Sequence, residues 1–161
     1  FGKLGDEYIY HNAFIDVCGC PCCEHVNEFN QAKANGWYDN LSLTGKMHEV
    51  PWSHLIFDSR YSDLVDIYEG GFMHSRGVFR SEQNSCMNNN IPYYSTISRE
   101  SIVKRIKQYA GETYSFEEFV ANDKRDAGAV TRSADVKVSG RMMHSRQAPP
   151  QIHRGSPLKK R

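Results

Sequence analysis

The sequence contains no run of eighteen apolar residues, which excludes a membrane-crossing helix. It has no internal repeat, so a solenoid of stacked units is excluded as well. Its seven histidines include no His-x-x-x-His pair, and the chain by itself therefore lacks the two-histidine helix of a hydrolytic zinc site. His48-Glu49 is its single His-Glu pair; Trp52 stands where the second histidine belongs, and Pro51 interrupts the helix such a site needs. Arg and Lys are not interleaved with aromatic residues in any regular way, which argues against a nucleic-acid surface. Neither a signal-peptide pattern nor an initiator Met is present, and this leaves export open.

The composition is that of a folded domain. With 161 residues, 39% hydrophobic and 12% aromatic, the chain is long enough to bury one core. The net charge of +1 conceals an asymmetry: residues 129–161 carry eight Lys/Arg against one Asp, a net +7, and the remainder carries −6. After Asp126 the sequence turns rich in Ser, Gly, Arg and Pro, with Pro149-Pro150 and Pro157. Residues 1–126 are therefore expected to fold, and 127–161 to form a largely extended basic tail that docks on the acidic body or stays solvated.

Local patterning predicts a mixed α and β, loop-rich body. Residues 1–23 read as turn and loop, with Tyr8-Ile9-Tyr10 and Phe14-Ile15 as apolar anchors. A helix is expected over Glu24 to Ala34, with Val26, Phe29 and Ala32 inward and Asn35-Gly36 as its stop. Trp37 to Leu43 reads as extended, and Pro51 begins a short helix with Trp52, Leu55 and Ile56 inward. Val65 to Tyr68 leads into Glu69-Gly70-Gly71, with Gly77 to Arg80 as the hairpin partner. Residues 99–110 form the best helix, capped by Ser98 and ended by Gly111, with Ile102, Val103, Ile106, Tyr109 and Ala110 on its inner face. Ser115-Phe116-Glu117-Glu118 has capping-box spacing and opens a last short helix.

Several short segments bear on chemistry. They are Gly2-Lys3-Leu4-Gly5-Asp6-Glu7-Tyr8, Glu69-Gly70-Gly71-Phe72 through Arg80, Asn84-Ser85-Cys86-Met87, and Ser98-Arg99-Glu100-Ser101-Ile102-Val103. Taken singly, Asp6 and Glu7 are also consistent with ordinary acids in a solvated turn, and Met87 with a buried residue at a hairpin end. In this order and separation the segments resemble the peptidase M64 family, the bacterial immunoglobulin A peptidase-like zinc endopeptidases, over about residues 1–110. In that family a His-Glu-x-x-His helix runs into a glycine and then Asp-Glu-Tyr. The resemblance implies a zincin- or metzincin-like catalytic domain, of which this chain is the C-terminal part, with the helix upstream of Phe1 on a missing N-terminal part of the same polypeptide.

The family likeness also assigns roles. A catalytic zinc takes three protein ligands and keeps one position for water; two histidines on one helix supply two, and the third follows a chain reversal. Asp6 is the expected third ligand, with Glu7 as the alternative. Met87 becomes the Met-turn beneath the metal. Arg76 and Arg80 are candidates for gripping substrate, or for surface ion pairs. Tyr93 and Tyr94 are candidate oxyanion donors, or packing residues against the following helix. The implied cofactor is Zn2+, the implied partner a protein or peptide substrate, and the implied location secreted or cell-envelope in a bacterium.

The five cysteines stand apart from that pattern. Cys18, Cys20, Cys22 and Cys23 cluster, and Cys86 is distant. The odd count leaves at least one thiol unpaired in a monomer. Structural disulfide or buried-thiol roles are expected, including a bridge from the cluster to Cys86; a metal clip of cysteines with His25 is the alternative. With the basic tail, that cluster also supports a second reading, a non-catalytic interaction domain built on a cysteine-rich knot.

Overall fold

The computed structural model describes residues 3–15 and 23–124. The expected tail and the cysteines Cys18, Cys20 and Cys22 lie outside the described residues. Among the described residues the order is β1 (Ile9–Phe14), α1 (Cys23–Ala34), β2 (Leu41–Ser42), α2 (Ser53–Ile56), β3 (Tyr68–Gly71), β4 (Met73–Arg80), α3 (Cys86–Asn89), α4 (Thr96–Ala110) and α5 (Phe116–Asn122). Helices and one mixed sheet combine as an α+β arrangement. No helix is long and apolar enough to cross a membrane among the described residues.

β4 is the spine of the sheet. Arg80 pairs with both Leu41 of β2 and Tyr68 of β3, and His74 pairs with both His11 of β1 and Gly71 of β3. A strand has two edges, so β1 and β2 lie end to end on one side of β4 and β3 on the other. β1 runs parallel to β4; β2 and β3 run antiparallel. Alternation along β4 buries His74 and Val78 toward one cluster, with Ile15, Phe29 and Leu41, while Phe79 packs on a second. The second cluster holds Val50, Trp52, Leu55, Tyr61, Val65, Ile97 and Phe119. Trp52 is fully enclosed and its indole N–H donates to Asp66 O at 3.0 Å, so this large side chain is buried without stranding its polar atom.

Local chemistry explains most boundaries. α1 stops at Asn35-Gly36, where Gly36 takes the left-handed φ of 68°. The Ser115 hydroxyl accepts from the Glu118 amide at 3.3 Å and opens α5, as its spacing predicts. Gly111 closes α4 at φ 70°.

Three sequence expectations are corrected. Residues 9–14 form a strand, because β4 offers them an edge from more than sixty positions away. The stretch expected to be extended from Trp37 is a turn, with Tyr38 at φ 61°, and only Leu41–Ser42 pairs with β4. α4 begins earlier, at Thr96 after the N-cap Ser95, and buries Ile97, Ser98, Glu100 and Ser101. Ile106 and Tyr109, expected inward, are 49% and 70% exposed.

The β3–β4 hairpin closes through Phe72-Met73, both in the left-handed region at φ 48° and 69°. Such a two-residue loop suits Asn-Gly; two bulky residues there are strained by about 1 kcal/mol or more each. Docking of the Asp6–Tyr8 segment holds it: the Phe72 amide donates to Asp6 O at 2.7 Å and the Met73 amide to Tyr8 O at 2.9 Å. The Phe72 ring also packs edge-on to Phe29 and tilted against Tyr38.

Candidate functional site

The Gly5–Tyr8 segment is clamped from both sides. Asn40, fully buried, accepts from the Gly5 amide and returns its own N–H to Gly5 O, each at 2.8 Å, a closed ring between side chain and backbone. A side chain at Gly5 would meet Leu41 Cδ1 at 2.4 Å, so only glycine lets the segment lie this close to β2. From this anchored stretch the acids diverge. Asp6 points out: one carboxylate oxygen accepts from the Tyr8 amide at 2.9 Å, and the other makes no hydrogen bond among the described residues. Glu7 is fully buried; its Oε1 accepts from Asn40 Nδ2 at 2.9 Å and its Oε2 from Ser85 Oγ at 2.5 Å.

The Glu7–Ser85 bond joins residues 78 apart. Ser85 is also the N-cap of α3, its Oγ accepting from the Met87 amide at 3.2 Å. One hydroxyl thus ties the Asp6-Glu7 segment to the Ser85-Cys86-Met87 turn, and Met87 sits half-buried in that turn. Burial pushes the Glu7 carboxyl above its ordinary range, while the bonds from Asn40 and Ser85 and the charge of Arg80 pull against it. Cys86, a free thiol, is likewise raised by burial and by the charge of Glu7. The cysteines expected to bridge to it lie outside the described residues, apart from Cys23.

The other candidates divide between core and surface. The structure puts the Arg80 guanidinium to internal use, donating to Glu69 O, Gly70 O and Gln83 O at 2.9, 2.7 and 3.3 Å. At 7% exposed it fastens the glycine pair instead of facing a substrate. Tyr93 is similarly committed: its hydroxyl donates to Glu82 Oε2 at 2.8 Å in the interior. Arg76 is exposed over the Phe14 ring, and Tyr94 is exposed beside Cys86. Nothing is described of the Cys23 side chain.

Two further glutamates, Glu82 and Glu100, are buried, which the sequence reading did not expect. Glu82 accepts from the Thr96 amide at 2.5 Å and so caps α4 from fourteen residues away, while Ser95, its N-cap residue, makes no side-chain cap bond. Glu100, 1% exposed, gathers His54, Lys104 and Tyr114 at 2.7 to 2.8 Å. Lys104 follows Glu100 by one helical turn, but His54 and Tyr114, like the Thr96 amide for Glu82, come from segments that no sequence signal links to the acid. A cavity of about 570 Å³ between α4 and α5 is lined by Arg99, Val103, Phe119 and Asn122 and contains none of the Asp6–Met87 residues.

The two acids differ in the oxygen they leave free. Asp6 keeps an outward carboxylate oxygen on a backbone fixed at Gly5, Phe72 and Met73, whereas both Glu7 oxygens are engaged in the interior. No group of three or more His, Cys, Asp or Glu is placed to hold a metal among the described residues. No family model matches the sequence, and no curated protein matches it either.

Proposed function

We propose that the chain is the C-terminal part of a zinc-dependent endopeptidase of the kind the Asp-Glu-Tyr and Ser-Cys-Met segments resemble, acting on a protein or peptide substrate. The observation that supports this reading is the Ser85–Glu7 hydrogen bond, which joins the acid segment to the Met87 turn across 78 positions of sequence. Two weakly specific motifs far apart in sequence meet in one place, as a shared site requires.

In this proposal Asp6 offers its outward oxygen as the third ligand, and Glu7 acts one position behind it as a buried peg that fixes the backbone carrying Asp6. Met87 supplies the apolar floor. Tyr94 and Arg76, both exposed, remain for substrate contact, while Tyr93 and Arg80 hold the frame. Zinc, when bound, polarises the scissile carbonyl and lowers the pKa of its water. The two histidines and the general-base glutamate belong to a His-Glu-x-x-His helix preceding Phe1, and the 161-residue chain by itself is proposed to be inactive.

The test uses the full-length polypeptide. Its sequence ahead of Phe1 is expected to contain His-Glu-x-x-His. Asp6→Ala is expected to lower the zinc content of the full-length polypeptide by one ion and to abolish peptide turnover with the fold kept, while Glu7→Gln keeps the parent's zinc content and Met87→Leu is mild. A zinc content in Asp6→Ala equal to the parent's, or absence of the upstream motif, overturns the proposal.

A further inference from the structure

Two histidines from different elements meet ring to ring. His25 Nδ1, on α1, lies 3.0 Å from His74 Nε2, on β4, with the rings nearly perpendicular at 78°. His74 is 1% exposed and His25 half-buried, so the pair has one face in the core and one toward the surface. The Phe72 ring stands edge-on to His25 at 6.0 Å, giving the pair an apolar wall. Both backbones are fixed, one in a twelve-residue helix and the other at the centre of the sheet.

Two imidazole nitrogens that converge in this way satisfy one of two chemistries. One ring donates N–H to the other, or both turn lone pairs toward a shared cation. Tetrahedral zinc at about 2.0–2.1 Å from each nitrogen sets them about 3.3 Å apart, a few tenths of an ångström from the spacing found. A hydrogen bond would satisfy the pair at this spacing too, so binding of an ion is what separates the two.

We propose that His25 and His74 form a two-histidine site for a zinc-class divalent ion, ligating through Nδ1 and Nε2 respectively. The site is separate from the peptidase reading, since it uses neither Asp6 nor Glu7. Its ion joins α1 to β4 and is structural in kind: it ties the helix to the sheet that carries the strained hairpin. Two imidazoles leave coordination positions to fill, and a borderline ion accepts thiolate, imidazole or water there.

The test loads the full 161-residue chain, reduced and dialysed, with Zn2+ alone and measures bound metal, then repeats with Co2+ and records the visible and near-ultraviolet spectrum. One ion per chain is expected, lost in both His25→Ala and His74→Ala and kept in Asp6→Ala. Zn2+ is also expected to raise the melting temperature of the parent chain and of neither histidine variant. A sulfur-to-cobalt charge-transfer band supports the site with thiolates completing it; tetrahedral bands without that feature support it with nitrogen and oxygen donors. If His74→Ala fails to fold, His25→Ala, altered at the more exposed partner, decides the matter with His25→Gln. No ion bound, or an ion kept in either histidine variant, overturns the proposal and leaves the pair a simple N–H···N bond. Loss of the ion in Asp6→Ala with both histidine variants loaded would also overturn it, and would favour the peptidase site instead.

Discussion

Removing the Ser85 hydroxyl tests the junction between the two motif segments most directly. Ser85→Ala deletes the α3 cap, since the Met87 amide loses its acceptor, and it strands the fully buried Oε2 of Glu7. A lost N-cap costs about 1 kcal/mol and an unsatisfied buried oxygen about 1–3 kcal/mol, so the variant should lose about 2–4 kcal/mol of stability. The loss should also depend on pH. Burial already holds the folded Glu7 carboxyl above its ordinary 4.5, so its favourable contribution is complete below that value and falls as pH rises through the folded pKa. Taking away the Ser85 bond, one of the interactions that oppose the rise, lifts the folded pKa further and widens the loss at higher pH. Urea unfolding of the parent and variant at about pH 4 and about pH 8 measures both quantities. The double variant Ser85→Ala/Glu7→Gln should recover part of the deficit at the higher pH, because no charge is left to strand. A deficit under about 0.5 kcal/mol, or one equal at the two pH values, would refute the claim that this bond carries the junction.

Gly70→Ala should cost about 2–3 kcal/mol in the same assay, since Gly70 has φ 109° and a Cβ there meets Ile9 Cδ1 at 2.4 Å and Arg80 Nη1 at 3.1 Å. Trp52→Ala should cost about 3–5 kcal/mol and Tyr109→Ala less than about 0.5 kcal/mol, a contrast that calorimetry reads as separate melting shifts. Burial works to raise the Glu100 carboxyl, but bonds from His54, Lys104 and Tyr114 outweigh it and hold the group at about 2. Its contribution is therefore present above the ordinary 4.5 and lost as pH falls toward 2, and Glu100→Gln should flatten the stability profile across that window in urea midpoints.

Much of the helical framework was legible because its punctuation is local. The Asn35-Gly36 stop and the Ser115 cap each act within a few residues, so sequence alone places α1 and α5; the β3–β4 pairing was also legible, but its turn falls at Phe72-Met73 and not at the expected Glu69-Gly70-Gly71, which lies in β3. β1 was not legible, since Ile9-Tyr10-His11-Asn12-Ala13-Phe14 has no alternating pattern and owes its form to one distant edge. The inner face of α4 misled for a related reason. Apolar periodicity pointed to Ile106 and Tyr109, but the helix is buried at its N-terminal end through Ser98, Glu100 and Ser101, polar residues made tolerable by partners such as Tyr114 and His54. Within the candidate site, the residues singled out Asp6-Glu7 and Asn84-Ser85-Cys86-Met87, two segments that the Ser85–Glu7 bond joins. The clasp by Asn40 could not, because an asparagine after a turn looks the same whether it faces water or Gly5.

The parallel pairing of β1 with β4 also governs the order in which the molecule assembles. Ile9 finds its partner at Met73, so closing the sheet requires the intervening chain to be arranged first, and loop-closure entropy makes that contact late and slow. During synthesis, Ile9–Phe14 leaves the ribosome long before β4 exists, with its hydrogen-bonding groups unpaired and aromatic side chains beside them. Until the Gly70–Met73 hairpin forms, the segment bearing Asp6 has no surface on which to settle. The acid site is thus among the last features to acquire its shape, and an interruption anywhere before Arg80 leaves it without structure.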